Sequence, residues 1–197
     1  MMLKEVTVVA AAALPMAAFR DHLQLGSGFA DLGAEDAALE AYLRAAIAAI
    51  EGRIAKALLT RDFVLTLSDW RDGISQPLPV APVGALHSVQ MIDATGAIAE
   101  VSAACRLVPD MGRPRLEAVS GSLPPIPRGG VVEIRFAAGF GAEWNELPAD
   151  LAQAVMLLAA QYFERRHDAG AGQDAMPFGV ASLIERWRTV RVLGGRA

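Results

Sequence analysis

The sequence predicts an α+β protein: a helical part of about four helices, with a β-rich insertion between the second and third. Three observations predict it. Apolar side chains recur at three-and-four spacing from Glu35 to Leu58. From about residue 62 to 140 the chain turns to alternating patterns, β-formers and Pro/Gly turns. Helical spacing then returns after Leu147. Runs of helix and strand segregated in this way imply α+β rather than alternating α/β architecture. The organisation that follows is residues 1–61 as an N-terminal arm and helices, 62–140 as the β-rich insertion, and 141–197 as closing helices and tail.

Val6 to Phe19 is almost wholly apolar and follows Lys4. It superficially resembles a signal peptide, but Glu5 lies at its edge, Pro15 falls inside it, and it is too short to span a bilayer as a helix. The competing reading is an arm followed by a short helix. Pro15 suits a helix's first turn, and Met16, Phe19 and Leu23 fall at helical spacing before Gly26. Gly26–Gly33 reads as a loop. The long helix follows, with Leu39, Tyr42, Leu43, Ala46, Ile47, Ile50, Ile54 and Leu58 on one face and Glu35 and Asp36 in the first turn, where carboxylates complement the helix dipole. Gly52 is a weak point that allows close approach of another backbone.

Strands are expected at Phe63–Leu67, Leu86–Ile92, Ile98–Val101, Arg106–Val108, Arg115–Glu117 and Val131–Ala137, with a turn at Asp93–Gly96. Pro77-Leu78-Pro79 and Ala81-Pro82 are extended, because residues before proline avoid the α region. Pro148 opens a helix to about His167, carrying Leu151, Ala154, Val155, Leu158 and Tyr162 on one face. Asp168–Asp174 reads as a loop, Val180–Arg188 as a last short helix, and Gly194–Ala197 as a loose tail.

Composition narrows the function. The chain has 197 residues, 53% hydrophobic and 20% charged, which is enough for a real core and is globular rather than disordered. A net charge of −4 gives no global attraction to nucleic acid. With Cys105 as its one cysteine, the chain forms no internal disulfide.

Signals for chemistry are weak. None of the three histidines, His22, His87 and His167, has a partner at metal-ligand spacing. Cys105 reads as a small buried hydrophobe and Ser120 lacks a nucleophile elbow. Gly139-Phe140-Gly141 lacks the third glycine and the Lys-Ser/Thr of phosphate loops, and reads as a turn after a strand. Glu35, Asp36, Glu40 and Glu51 lie on the helix's polar face. No catalytic residue, cofactor or metal is expected.

Arginines do gather late, at Arg165, Arg166, Arg186, Arg188, Arg191 and Arg196. One reading is helix-end stabilisation; the other is docking to an acidic partner or to DNA backbone. Trp187 among them suits an interface anchor or a core residue equally.

Taken in order, several segments resemble the head–tail connector (adaptor) family of tailed phages. They are Leu14–Leu23, Asp36–Ala46 with Ile50-Glu51, Ala57–Thr60, Ala138–Gly141, Leu147–Ala154, Tyr162–Arg166, Met176–Val180 and Leu183–Arg188. The alanine- and arginine-rich character is also similar to adaptors of gene transfer agents, phage-derived particles that carry cellular DNA. The sequence departs from the family in lacking its "TGR" step after the long helix, where Gly52–Lys56 stands, and in the apolar arm before Leu14.

The resemblance implies a non-catalytic subunit of a particle neck, assembled in the bacterial cytoplasm. Its partners would be itself in a ring, a dodecamer, the portal protein, and a neck stopper or tail-terminator protein. DNA would pass through the channel without sequence-specific binding, and no membrane is involved. The helices at Glu35–Leu58 and Pro148–His167 would form the core and ring contacts, while Arg186, Trp187, Arg188 and Arg191 would dock to the portal. The alternatives are another neck or tail-completion protein, a small enzyme using Cys105 or a histidine, or an exported binding domain.

Overall fold

The computed structural model describes residues 1–25, 32–166 and 176–188. Its elements are β1 (Met2–Glu5), α1 (Met16–His22), α2 (Leu32–Ile54), β2 (Arg61–Leu67), β3 (Ser75–Pro77), β4 (Val83–Ile92), β5 (Ile98–Glu100), β6 (Cys105–Val108), β7 (Arg115–Ala118), β8 (Val131–Ala138), α3 (Ala149–Glu164) and α4 (Phe178–Ile184). The protein is α+β, with the strand block between α2 and α3. It divides into two compact units: residues 1–10 with 56–146, and residues 11–55 with 147–197.

The first unit contains two antiparallel sheets. Five strands run in the order β1-β2-β8-β4-β5, and three in the order β3-β7-β6. Alternation explains the packing. Phe63, Leu65 and Leu67 on β2 and Val132, Ile134 and Phe136 on β8 point to one side of the larger sheet. They cluster with Leu116 and Cys105 from the smaller sheet, so the core combines residues of both. Phe63 and Phe136, directly paired across the strands, stack with centroids 5.8 Å apart. Each fully buried large apolar side chain contributes about 1.5–3 kcal/mol.

The turn expected at Asp93–Gly96 forms the β4–β5 hairpin. The Asp93 carboxylate accepts from the Thr95 and Ala97 amides at 2.8 and 2.9 Å, and Gly96 takes the left-handed conformation at φ +87°. Two strands lie where the sequence shows no strand pattern. β1 uses the arm residues Met2–Glu5, paired antiparallel with Phe63–Thr66, and Arg61 reaches Glu5 at 2.9 Å across the pair. β3 is three residues long and ends in Pro77.

Among the described residues, the second unit holds α1 to α4. Leu39, Leu43, Ala46, Ile47, Ile50 and Ile54 are all buried on α2, as their spacing predicts. On α3, Leu151, Ala154, Val155 and Leu158 are buried, and Tyr42 meets Phe163 edge-on at 6.2 Å. α2 packs on α3, and α3 on α4. Helix boundaries differ from the sequence expectation: α2 begins at Leu32 rather than Glu35, and α3 ends at Glu164 rather than about His167. α2 ends at Ile54, not Leu58, because Ala55 turns into the left-handed region at φ +55°. Lys56 and Leu59 then make parallel bridges to Ala81 and Gly141. Residues 26–31, most of the expected Gly26–Gly33 loop, and the Asp168–Asp174 loop lie outside the described residues.

Candidate functional site

The candidate docking residues begin on the turn that follows α4. Pro177 precedes α4 as its N-cap, and Val180 and Ile184 bury one side of the short helix. The chain then tightens into a 3-10 turn at Glu185–Trp187 and leaves it at Arg188 in extended conformation. This tightening ends the single helix expected over Val180–Arg188 at Ile184.

Asp150, in the first turn of α3, organises this turn. Its Oδ2 accepts the Trp187 Nε1–H at 2.7 Å and pairs with Arg186 Nε at 2.7 Å. The Arg186 guanidinium lies 4.8 Å from the centre of the Trp187 ring. Burial pushes the Asp150 carboxyl up, but the Trp187, Arg186 and Leu151 donors together outweigh it and hold the group below its ordinary value. Arg188 pairs with both Glu185 carboxylate oxygens at 3.1 Å. Arg186 and Trp187 therefore lie in one turn that Arg188 caps, and both arginines already face a carboxylate. Arg191 lies outside the described residues. Trp187 is half-buried with its polar edge satisfied, between the two sequence readings of anchor and core.

The role of Asp150 was not legible in the sequence. It reads there as an ordinary first-turn carboxylate, and its partner is 37 residues away. The one available signal is that a half-buried indole N–H needs an acceptor.

Other residues weighed for chemistry lie elsewhere in the fold or outside the described residues. Cys105 is buried in the β core, which pushes its thiol up and away from thiolate reactivity. His87 Nε2 lies 3.0 Å from Asp62 on the exposed side of the larger sheet. His22 is exposed at the end of α1, and His167 is outside the described residues. Gly139-Phe140-Gly141 is a backbone crossing: the Phe140 amide donates to Leu58 O at 3.0 Å and the Thr60 amide to Gly141 O at 2.8 Å. Lys56 is buried, and its ammonium donates to Met111 O beside Asp110. Burial lowers its pKa, with Asp110 acting against that. Among the described residues no three potential ligands gather as a metal site, and no helix is long and apolar enough to cross a membrane.

Fold and site together define a two-unit α+β protein in which a carboxylate of α3 fixes the turn after α4 in place. No protein-family model matches the chain, and no curated protein matches it. Solved structures do. A chain from the neck of an empty gene transfer agent particle, computed with C6 symmetry, matches at 66% identity and TM-score 0.91. A chain from the virion of a native gene transfer agent particle matches at 66% and 0.88. One from the neck of the native particle, computed with C12 symmetry, matches at 61% and 0.86. All three alignments cover 100% of both chains. The chain belongs to the head–tail adaptor family, in the branch of gene transfer agent necks.

Proposed function

We propose that this protein is a structural adaptor in the neck of a gene transfer agent particle, joining capsid to tail and catalysing nothing. The observation that carries this reading is the full-length similarity, at 61–66% identity, to chains from particle necks. Identical copies form a ring, a dodecamer, beneath the portal. The C6 and C12 symmetries of the similar neck structures support that arrangement. Ring subunits meet through heterologous contacts, two different patches of one chain, which close only at the right rotation. The ring extends the DNA channel and receives a neck stopper or tail terminator on its far side. A net charge of −4 suits a wall that DNA slides past without sequence-specific binding.

Portal docking is assigned to the segment carrying Arg186, Trp187, Arg188 and Arg191. The test is a truncation, and Val180 and Ile184 fix where it is made. Both are buried, so a cut at Val180 would damage the helical core as well as the dock. Ending the chain after Glu185 spares them and removes all four assigned residues. The shortened protein is expected to fold and to lose binding to portal rings purified from the same particle. Undiminished binding would refute the docking assignment.

A further inference from the structure

We propose that Asp150 is the positioning residue that holds Arg186, Trp187 and Arg188 on the helical unit in the orientation that docks. The inference rests on the docking reading above. Without Asp150, α4 is held mainly by the apolar contacts of Val180 and Ile184. Those contacts bury the helix but do not orient the turn beyond it, since apolar packing has no directional preference comparable to a hydrogen bond. Direction comes from one carboxylate engaging two consecutive side chains. Oδ2 receives the indole N–H and the guanidinium Nε, both at 2.7 Å, while Oδ1 accepts the Leu151 amide at 3.0 Å and fixes the carboxylate's rotation. Arg186, stacked on the Trp187 ring, closes the arrangement. Arg188 follows at once in extended conformation, so its placement follows from the geometry at Asp150.

The two bonds are unequal. The Arg186 side chain is 69% exposed, so its ion pair is screened by water. The Trp187 bond is partly buried and carries the positioning.

The experiment compares full-length wild type, Asp150→Asn, Asp150→Ala, Trp187→Phe and the Asp150→Ala/Trp187→Phe pair for binding to purified portal rings. Melting temperature serves as the fold control and limited trypsin digestion followed by intact mass as the second readout. Asp150→Asn keeps an oxygen for the indole and is expected to bind within about threefold of wild type. Asp150→Ala is expected to bind about tenfold more weakly, a difference of about 1.4 kcal/mol. Trypsin should cut after Arg186 and Arg188 faster in this variant, with the rest of the chain protected. In the Trp187→Phe background Asp150→Ala should add nothing, because it acts through the indole bond. Multiplying effects in the double variant would overturn the proposal. So would wild-type binding by Asp150→Ala while the chain ending at Glu185 fails to bind; the docking reading would then survive alone. If neither change affects binding, both fall. Should Asp150→Ala not fold, the test passes to the other two single variants. Trp187→Phe binding like wild type, or Asp150→Asn binding as weakly as Trp187→Phe, then refutes the proposal.

Discussion

At Gly139 the backbone of β8 passes directly against the segment entering β2. A Cβ built there would stand 2.4 Å from Thr60 Cα, and φ is +147°, a conformation that side-chain-bearing residues rarely adopt. Gly139→Ala is therefore expected to destabilise the protein by more than about 2 kcal/mol, seen as a lower urea midpoint. The sequence reads this glycine as a turn residue after a strand, but the reason it must be glycine is invisible there: the backbone it meets, at Thr60, lies far earlier in the chain. Asp150 presents the same difficulty, because long-range partners leave no local pattern. Its titration gives a second prediction. A carboxyl held below its ordinary value in the folded protein stabilises it above the unfolded pKa of about 3.9, and that stability is lost as pH falls through the folded value. Asp150→Asn should thus be less stable than wild type at pH 7, and the gap should close below about pH 4. A gap that stays constant down to low pH would contradict this origin.

Helix α2 shows what an element reveals and hides. Its buried face was legible because six apolar residues from Leu39 to Ile54 follow a helical period and all are buried. Its end was not, because Leu58 continues the same period while Ala55, an alanine with no stop signal, makes the left-handed turn. Strands β8 and β4 were legible from alternation. β1 was not: all four of its residues are exposed, so no inward face imprints a pattern, and only pairing with β2 makes it a strand. β3 is too short and ends in proline. Gly52 offers a test at this scale. It is exposed within α2, and apart from its chain neighbours and the helix's own backbone no atom lies within 4 Å of where its Cβ would be. Gly52→Ala should stabilise the isolated chain by about 0.5–1 kcal/mol, read as a higher melting temperature. If Gly52 also admits a neighbour's backbone in the ring, the same variant should assemble less well although it folds better.

At the scale of the whole molecule, composition contributed mainly exclusions, while order and spacing contributed the family. The acidic balance, the single cysteine and the scattered histidines removed chemistries one by one. The succession from Leu14–Leu23 through Ala138–Gly141 to Leu183–Arg188 pointed to an adaptor, and the similarity to gene transfer agent neck chains over the full length agrees with it. What one chain cannot display is its ring, because the contacts that close it exist only between copies. The central claim is therefore tested on assembled particles. Quantitative mass spectrometry of purified DNA-containing particles, comparing copies of this chain with copies of the portal subunit, is the direct measurement. A one-to-one ratio is predicted for a ring matched to the portal. Absence from the particles, or a ratio far from one-to-one, would contradict the account.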